Sequence, residues 1–347
     1  ANHRLTSRHD PIQMIRPRLL LIATGGTIAS EAADAASTGL YKPASLSAQA
    51  LLAAVPALHE LADLEIEQPS AIGSEHLTSR HWMQLAARVR EAQQRRDLTG
   101  IVITHGTDTL DETALVLDLL CERRLPVVIT GAMRPATALS ADGPMNLLAA
   151  VHTALDAGAR QAGVMIVMND RVLAPDRAWK THTSRVDAFD SRDAQSLADL
   201  HDARPCWQGD AASRARSRPS LARALASLPD TLPRVDLLAT HVDLDPGLVD
   251  WLVAQGTRGL VMAGTGHGTL ADPVQQAIRR AVQAGCVVVR ASRVPQGPVR
   301  PGAGLDDSAL GTLAAGYCTP HKARTVLSLA LWAGYEPDEI QSLLLAL

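Results

Sequence analysis

Short runs of Val, Ile and Leu alternate with longer helical patterns along most of this 347-residue chain, and this alternation constrains its fold more than any other feature. The first four runs are bounded by Gly, Pro or polar residues and cover positions 19–23, 100–104, 126–130 and 163–168. Between them, apolar residues recur three and four positions apart, as in 112–124 and 144–157. Buried strands that alternate with helices are typical of βαβ units, so we predict an α/β fold with parallel sheets.

The length of the chain and one break in the alternation predict two domains. The alternation lapses over residues 206–234, a stretch rich in Ser, Ala, Arg and Pro, and resumes at residue 235. Aromatic residues make up only 3% of the chain, so its cores must consist of Leu, Val, Ala and Ile. We therefore expect four segments: a flexible tail at 1–18, a larger N-terminal catalytic parallel-sheet α/β domain at 19–205, a linker at 206–234, and a smaller C-terminal flavodoxin-like α/β domain at 235–347.

Charge and cysteine content exclude several classes of function. The formal net charge of −3 argues against a nucleic-acid-binding surface, which needs clustered Lys and Arg. No apolar run approaches the roughly 20 residues that cross a bilayer, so no membrane partner is expected. The four cysteines are far apart and contain no CxxC pair, which predicts neither a metal site nor a disulfide framework. The tail lacks the apolar stretch of a secretory signal. We expect a cytoplasmic protein, or a periplasmic one if this N-terminus is a processed one.

Two loops that follow strands carry unusual polar residues. In parallel α/β sheets, functional groups gather at the carboxyl ends of the strands. The first loop, 23–29, reads ATGGTIA and places a hydroxyl, Thr27, directly after two glycines; alone, a GGT sequence equally fits a tight turn. The second, 104–109, reads THGTDT and leads into a helix. Capping of that helix by Thr109 or Asp111 needs only one such residue. Thr107 beside Asp108 could instead hydrogen-bond and charge-pair with a small zwitterionic substrate.

A threonine hydroxyl is a poor nucleophile and needs an activating group. Lys180, in the sequence WKT after the strand-like run that ends at residue 168, is a candidate. A lone lysine usually lies on the surface, so its neighbours in the fold must decide between the two interpretations.

These motifs together resemble the bacterial L-asparaginases and the related glutaminase–asparaginases, from about residue 19 to the C-terminus. The resemblance includes GAMRPATALSADGPMN at 131–146, VMND at 167–170 and SRVP at 292–295, besides the two loops above. Several separated motifs in the right order are far more specific than any one of them. The resemblance implies an amidohydrolase that converts L-asparagine to L-aspartate and ammonia through a threonine acyl-enzyme, without a metal or cofactor.

The resemblance also implies a role for each matching residue. Thr27 matches the nucleophile, and Tyr41 matches the loop tyrosine that activates it. Ser74 matches a serine that binds the substrate carboxylate. In the second cluster, Asp108 would bind the substrate ammonium and Lys180 would support Thr107. Backbone amides near Thr107 are expected to stabilise the oxyanion.

Three positions depart from the pattern of the family. Glu75 stands where many members have Gln, so secondary glutaminase activity stays open. Asp243 falls where a second subunit usually contributes Asn or Ser to the amino end of the substrate. Ungapped alignment places Gly304 where a neighbouring subunit usually supplies a glutamate that helps to bind the ammonium. These departures bear on substrate affinity and amide preference rather than on the type of reaction.

Because sites of this family borrow residues from a neighbouring subunit, the resemblance implies a homotetramer built as a dimer of dimers. Two alternatives remain open. One is the asparaginase-like subunit of an amidotransferase that passes ammonia to a partner. The other is a catalytically weak amino-acid-binding sensor that has lost the ammonium-binding glutamate.

Overall fold

The computed structural model describes residues 16–36, 47–222 and 226–347. Its N-terminal part contains ten strands: β1 Arg18–Ala23, β2 Asp63–Glu67, β3 Gly100–Thr104, β4 Val127–Thr130, β5 Val164–Met168, β6 Arg171–Leu173, β7 Ala178–Lys180, β8 Phe189–Ser191, β9 Ala198–His201 and β10 Arg204–Trp207. The helices of the same part are α1 Ala48–Ala53, α2 Leu58–Leu61, α3 Ser79–Gln93, α4 Leu110–Leu120, α5 Gly143–Leu155 and α6 Ala211–Ser217.

The C-terminal part is smaller and alternates strands with helices. Its elements are β11 Val235–Ala239, α7 Gly247–Ala254, β12 Gly259–Gly264, α8 Asp272–Gln283, β13 Val287–Ser292, α9 Asp307–Leu310, β14 Thr312–Ala314, α10 Pro320–Trp332 and α11 Pro337–Ala346.

Eight strands form the large sheet, in the order β10-β9-β6-β5-β4-β3-β1-β2. The five strands from β5 to β2 in this order are parallel, whereas β6, β9 and β10 pair antiparallel at one edge. Successive side chains of a strand point to opposite faces, so both faces of β1 are apolar. Leu20 and Ile22 belong to the core beneath α3 and α4, and Leu19 and Leu21 belong to the core beneath α5. Burial on both faces explains why these strands read as continuous apolar runs.

The small sheet is entirely parallel, with the order β11-β12-β13-β14. One of its faces packs against α7 and α8. Its other face carries α10, which packs against α4 of the N-terminal part, so residues of both parts share one apolar core. The predicted fold class, a larger and a smaller parallel α/β unit, is confirmed.

Regular structure extends into the stretch that was expected to be a linker. Strand β10 ends at Trp207, and α6 occupies Ala211–Ser217, both within 206–234. The polar and Ala-rich composition of this stretch concealed them, because β10 is an edge strand and α6 has only two turns. Within the described residues no helix is long and apolar enough to cross a membrane.

A buried ion pair fixes the chain after α6. Arg218 donates from Nε to Oδ2 of Asp118 at 2.8 Å and from its Nη2 to Oδ1 at 2.9 Å, and Asp118 lies on α4. Both side chains are almost fully buried, at 3% and 1% exposed. A bidentate pair in a dry environment tolerates loss of one partner poorly, because the remaining charge has no water to solvate it.

We expect Arg218→Met to lower the free energy of unfolding by about 3 kcal/mol, since it leaves the Asp118 carboxylate buried without its bidentate partner. Arg280→Met is the control, because the Arg280–Asp250 pair is about half exposed and ion pairs in contact with water contribute little to stability. Urea unfolding of both variants and the wild type measures the difference. Equal midpoints for the two variants would contradict a structural role for Arg218.

His105, directly after β3, is a second buried polar group. Its Nδ1–H donates to the Gly106 carbonyl at 2.6 Å, and only 1% of the residue is exposed. Among the described residues, its Nε2 has no hydrogen-bond partner. Burial lowers the pKa of the imidazole to about 4, although the bond to Gly106 and the nearby Asp111 carboxylate oppose this effect.

This lowered pKa predicts a loss of stability in weak acid. The unfolded chain takes up a proton at His105 near pH 6.5, whereas the folded chain takes it up only near pH 4. The contribution of His105 is therefore complete above pH 6.5 and falls by about 3 kcal/mol as the pH drops to 4. Urea unfolding between pH 7 and 4 should show a shallower loss for His105→Gln than for the wild type. His201→Gln, on the surface of β9, should keep the wild-type slope; if all three slopes agree, the buried imidazole is not responsible.

Candidate active site

The loops that follow β1 and β3 meet at two glycines. Gly25 and Gly26 have positive φ angles of 113° and 86°, which ordinary side chains rarely adopt. A Cβ atom on Gly26 would lie 2.3 Å from Cα of Gly106, and a Cβ atom on Gly106 would lie 2.8 Å from Cβ of Ser74, so neither glycine could accept a side chain. The contact brings the residues that follow the glycines, Thr27 and Thr107, to the same place at the carboxyl end of the sheet.

A third loop closes the site and supplies Ser74. Its Oγ accepts hydrogen bonds from the backbone N–H of Asp108 at 3.2 Å and of Thr109 at 3.3 Å. Ser74 therefore satisfies two amides in the loop just before α4, whereas Thr109, the N-cap residue of α4, makes no capping hydrogen bond with its side chain. Thr109 instead donates its hydroxyl to the Ser74 carbonyl at 3.0 Å. These hydrogen bonds join the loop that carries Ser74 to the loop that follows β3.

A small cavity of about 70 Å³ lies where these loops meet. Thr27 and Thr107 are 7% and 5% exposed, so each hydroxyl is nearly enclosed by protein. Five of the predicted site residues line this cavity: Thr27, Ser74, Glu75, Thr107 and Asp108.

Lys180 reaches this cluster from the hairpin of β7 and β8. Its Nζ donates to Oγ1 of Thr107 at 2.9 Å and to Oδ1 of Asp108 at 2.6 Å. The Lys180 side chain is 17% exposed and the Asp108 side chain is 60% exposed, so the pair lies at the mouth of the site. A hydroxyl held by an amine beside a carboxylate is an arrangement that can activate a nucleophile or direct a proton. The surface interpretation of Lys180 is therefore wrong.

Glu75 places a second carboxylate beside the cavity. Its Oε1 lies 3.5 Å from Nε2 of His76, and its side chain is half exposed. Together with Asp108 it makes the mouth of the cavity acidic, which favours a ligand that carries an ammonium group.

Two predicted residues are not part of this cluster. Tyr41 lies outside the described residues. Asp243 is in the C-terminal unit, has a positive φ of 61°, and lines a separate cavity of about 590 Å³ with Thr269 and Arg293. Gly304 adjoins Thr269: its φ is 77°, and a Cβ there would lie 2.9 Å from the Thr269 methyl group. The backbone at 304 therefore favours glycine.

Sequence reasoning missed the polar groups behind the cluster. Lys322 and His321 contact the segments that carry Lys180 and Asp108, and they lie on the distant helix α10. A lysine in an amphipathic helix is typical of a solvated surface, so no signal in the sequence distinguished this one. In the part of the chain that the structure describes, no three His, Cys, Asp or Glu side chains are grouped as metal ligands would be.

Comparison with known proteins covers nearly the whole chain. Residues 18–212 match the model of the asparaginase N-terminal domain, and residues 234–344 match that of the glutaminase/asparaginase C-terminal domain. L-asparaginase 2 of Escherichia coli is 38% identical over 94% of this chain and 92% of its own length. The probable periplasmic L-asparaginase of Haemophilus influenzae is 37% identical over 94% of this chain and 91% of its own length.

A solved structure extends the likeness to the fold. The crystal structure of a probable cytoplasmic L-asparaginase from Campylobacter jejuni superposes with a TM-score of 0.88 at 33% identity, covering 96% of this chain and all of that one. Two matching domain models, relatives of similar length and a common fold agree with the motifs of the two glycine-containing loops. The chain belongs to the asparaginase family.

Proposed function

We propose that this protein is an L-asparaginase, an amidohydrolase that converts L-asparagine to L-aspartate and ammonia through a threonine acyl-enzyme. The observation that carries the proposal is the small cavity in which two enclosed hydroxyls, Thr27 and Thr107, face one site while Lys180 bonds to Thr107 and Asp108. Membership of the asparaginase family supports the same reaction.

Thr27 acts as the nucleophile. Its hydroxyl oxygen bonds to the side-chain amide carbon of the substrate, and the hydroxyl proton ends on the leaving nitrogen, which departs as ammonia. Tyr41 activates this hydroxyl. Water then breaks the ester, which yields the carboxyl group of aspartate and returns a proton to Thr27. Backbone amides near Thr107 hold the negative oxygen that develops in both steps.

The remaining residues bind the two charged groups of the substrate. The Ser74 oxygen accepts two backbone hydrogen bonds, so its own hydrogen is available to the substrate carboxylate. Asp108, held by Lys180, binds the substrate ammonium, and Glu75 adds negative charge on the same side. The position of Glu75, where many members of the family have Gln, supports secondary glutaminase activity.

The site is completed in an oligomer. Asp243 lines a cavity on the C-terminal unit of its own chain, apart from the threonines, which fits a contribution to the site of a neighbouring subunit. We expect a homotetramer built as a dimer of dimers. The cytoplasmic compartment, the absence of a cofactor and the absence of a nucleic-acid or membrane partner stay predictions.

Thr27→Ala should lower the rate of ammonia release from L-asparagine by at least about 1,000-fold, because no hydroxyl remains to form the ester. Thr27→Ser, which keeps the hydroxyl, is the matched control and should retain measurable turnover. Coupled detection of ammonia with L-asparagine and then with L-glutamine gives both the rate and the amide preference.

Full activity of Thr27→Ala would exclude Thr27 as the nucleophile. If the wild type released no ammonia from either amide yet bound L-asparagine saturably, the amino-acid-binding sensor would replace the enzyme as the proposal. Ammonia release only in the presence of an acceptor protein would favour the amidotransferase subunit.

Asp243→Ala should raise KM for L-asparagine about tenfold or more, because it removes a charge-assisted contact to the ammonium. If Asp243 serves the neighbouring subunit, dissociating and reassociating Asp243→Ala with Thr27→Ala should restore sites of wild-type KM, since some mixed sites contain both intact residues. Mixing Asp243→Ala with itself is the control. An unchanged KM after mixing would mean that Asp243 does not act across subunits.

A further inference from the structure

The hairpin that carries Lys180 is too small to hold its own position. Strands β7 and β8 have three residues each and, among the residues that the structure describes, pair only with one another. A two-stranded hairpin of this size is marginally stable at best, so its placement must come from its neighbours. Yet the Lys180 amine lies within hydrogen-bond distance of two groups on another segment, Thr107 and Asp108.

Lys322 of α10 connects the hairpin to the C-terminal unit. Its Nζ donates to the carbonyl of Pro175 at 2.7 Å and to the carbonyl of Ala178, the residue at the start of β7. Only 1% of Lys322 is exposed, so these carbonyls have little access to water as an alternative donor. Burial lowers the pKa of the Lys322 amine, while the nearby Asp111 and Asp176 carboxylates oppose this effect.

The residue before Lys322 contacts the other half of the cluster. The Nε2 atom of His321 lies 3.0 Å from Oδ2 of Asp111. The Asp111 side chain is only 3% exposed. Asp111 belongs to the first turn of α4, directly after the loop that holds Thr107 and Asp108. His321 and Lys322, which are adjacent on α10, therefore contact the segment that follows Asp108 and the segment that precedes Lys180.

A second set of contacts holds β8, the other strand of the hairpin, against the C-terminal unit. Arg192, directly after β8, donates to the carbonyls of Gly297 at 2.9 Å and Tyr317 at 3.2 Å. Arg177 lies over the Tyr317 ring, with its guanidinium carbon 3.8 Å from the ring centre. These contacts hold the hairpin against the C-terminal unit, and Lys322 adds a contact at Ala178, two residues before Lys180.

We propose that Lys322 is a positioning residue for Lys180: by binding the carbonyls of Pro175 and Ala178, it sets where the Lys180 amine meets Thr107 and Asp108. This inference rests on the role of Lys180 in the proposed function. The C-terminal unit then contributes to the site of its own chain as well as to that of a neighbour.

A double-mutant cycle tests the inference through kcat for L-asparagine. A misplacement of about 1 Å can cost about 100-fold in rate, so Lys322→Met should lower kcat by about 10- to 100-fold with little change in KM. In a Lys180→Met background, Lys322→Met should have less than about a twofold further effect, because the amine that it positions is already gone. Lys322→Arg, which keeps charged donors, should recover part of the loss.

Arg324→Met is the matched control on the same helix. Arg324 donates to the carbonyl of Val235, within the C-terminal unit, and does not contact the hairpin. This variant should affect kcat equally and weakly in both backgrounds. If Lys322→Met lowered kcat by the same factor with and without Lys180, its role would be general stability and the inference would be overturned.

A crystal structure of Lys322→Met separates failure of this inference from failure of the proposed function. Loss of the Lys180–Thr107 hydrogen bond supports positioning even if the wild type releases no ammonia, whereas an unchanged bond overturns it. If the wild type is active and Lys180→Met is equally active, the proposed role of Lys180 and this inference both fall. Should Lys322→Met not fold, Lys322→Gln, which keeps an uncharged amide donor group, enters the same cycle and the same crystals.

Discussion

The contact between Gly26 and Gly106 determines where everything else in the site can lie. Strands β1 and β3 are neighbours in the sheet, so the loops at their carboxyl ends start side by side. Because Gly26 has no side chain, its backbone can approach Gly106 so closely that a Cβ on residue 26 would overlap the Gly106 Cα. Thr27 and Thr107 follow these glycines directly, so the distance between β1 and β3 in the sheet determines how far apart the two hydroxyl groups lie.

Buried and partly buried basic side chains provide much of the directional order around this contact. With so few aromatic residues, the cores consist of aliphatic side chains that pack tightly but impose little orientation. Arg90 of α3 bonds to the carbonyls of Leu120 and Ala222, and Arg218 bonds to that of Ala162. Lys322 does the same for the hairpin. In each case a long cation joins segments that are remote in sequence by satisfying backbone acceptors that are shielded from water.

The sequence predicted the bounds of strands best where both faces of the strand are buried. The interior strands β3 and β5 begin and end within one residue of their predicted bounds, because residues that are apolar on both faces form an unbroken run. The strands β6 to β10 carry mixed polar sequences of three or four residues, which no periodicity can distinguish from loops. This is also why the predicted linker contained a strand and a helix.

The same contrast holds for the site. Thr27, Thr107 and Lys180 were predicted because they occur in motifs, and the structure brings them together. The contacts of His321 and Lys322 depend on how α10 packs against α4 and the hairpin, which is a property of the assembled fold and has no local pattern. The hydrogen bonds from Asp108 and Thr109 to Ser74 were missed for the same reason, since Ser74 comes from another loop.

The acceptors that Lys322 uses are main-chain carbonyls, and this has a consequence for how the protein can evolve. Nearly every amino acid presents the same carbonyl oxygen, so positions 175 and 178 can change without removing the groups to which Lys322 binds. The sequence of the hairpin tip beyond Lys180, which includes the exposed Thr181 and Thr183, can therefore change under selection for different substrates. Lys322, together with the contacts of Arg192 and Arg177, holds the base of the hairpin, so the part of the site that can vary is separate from the part that is fixed.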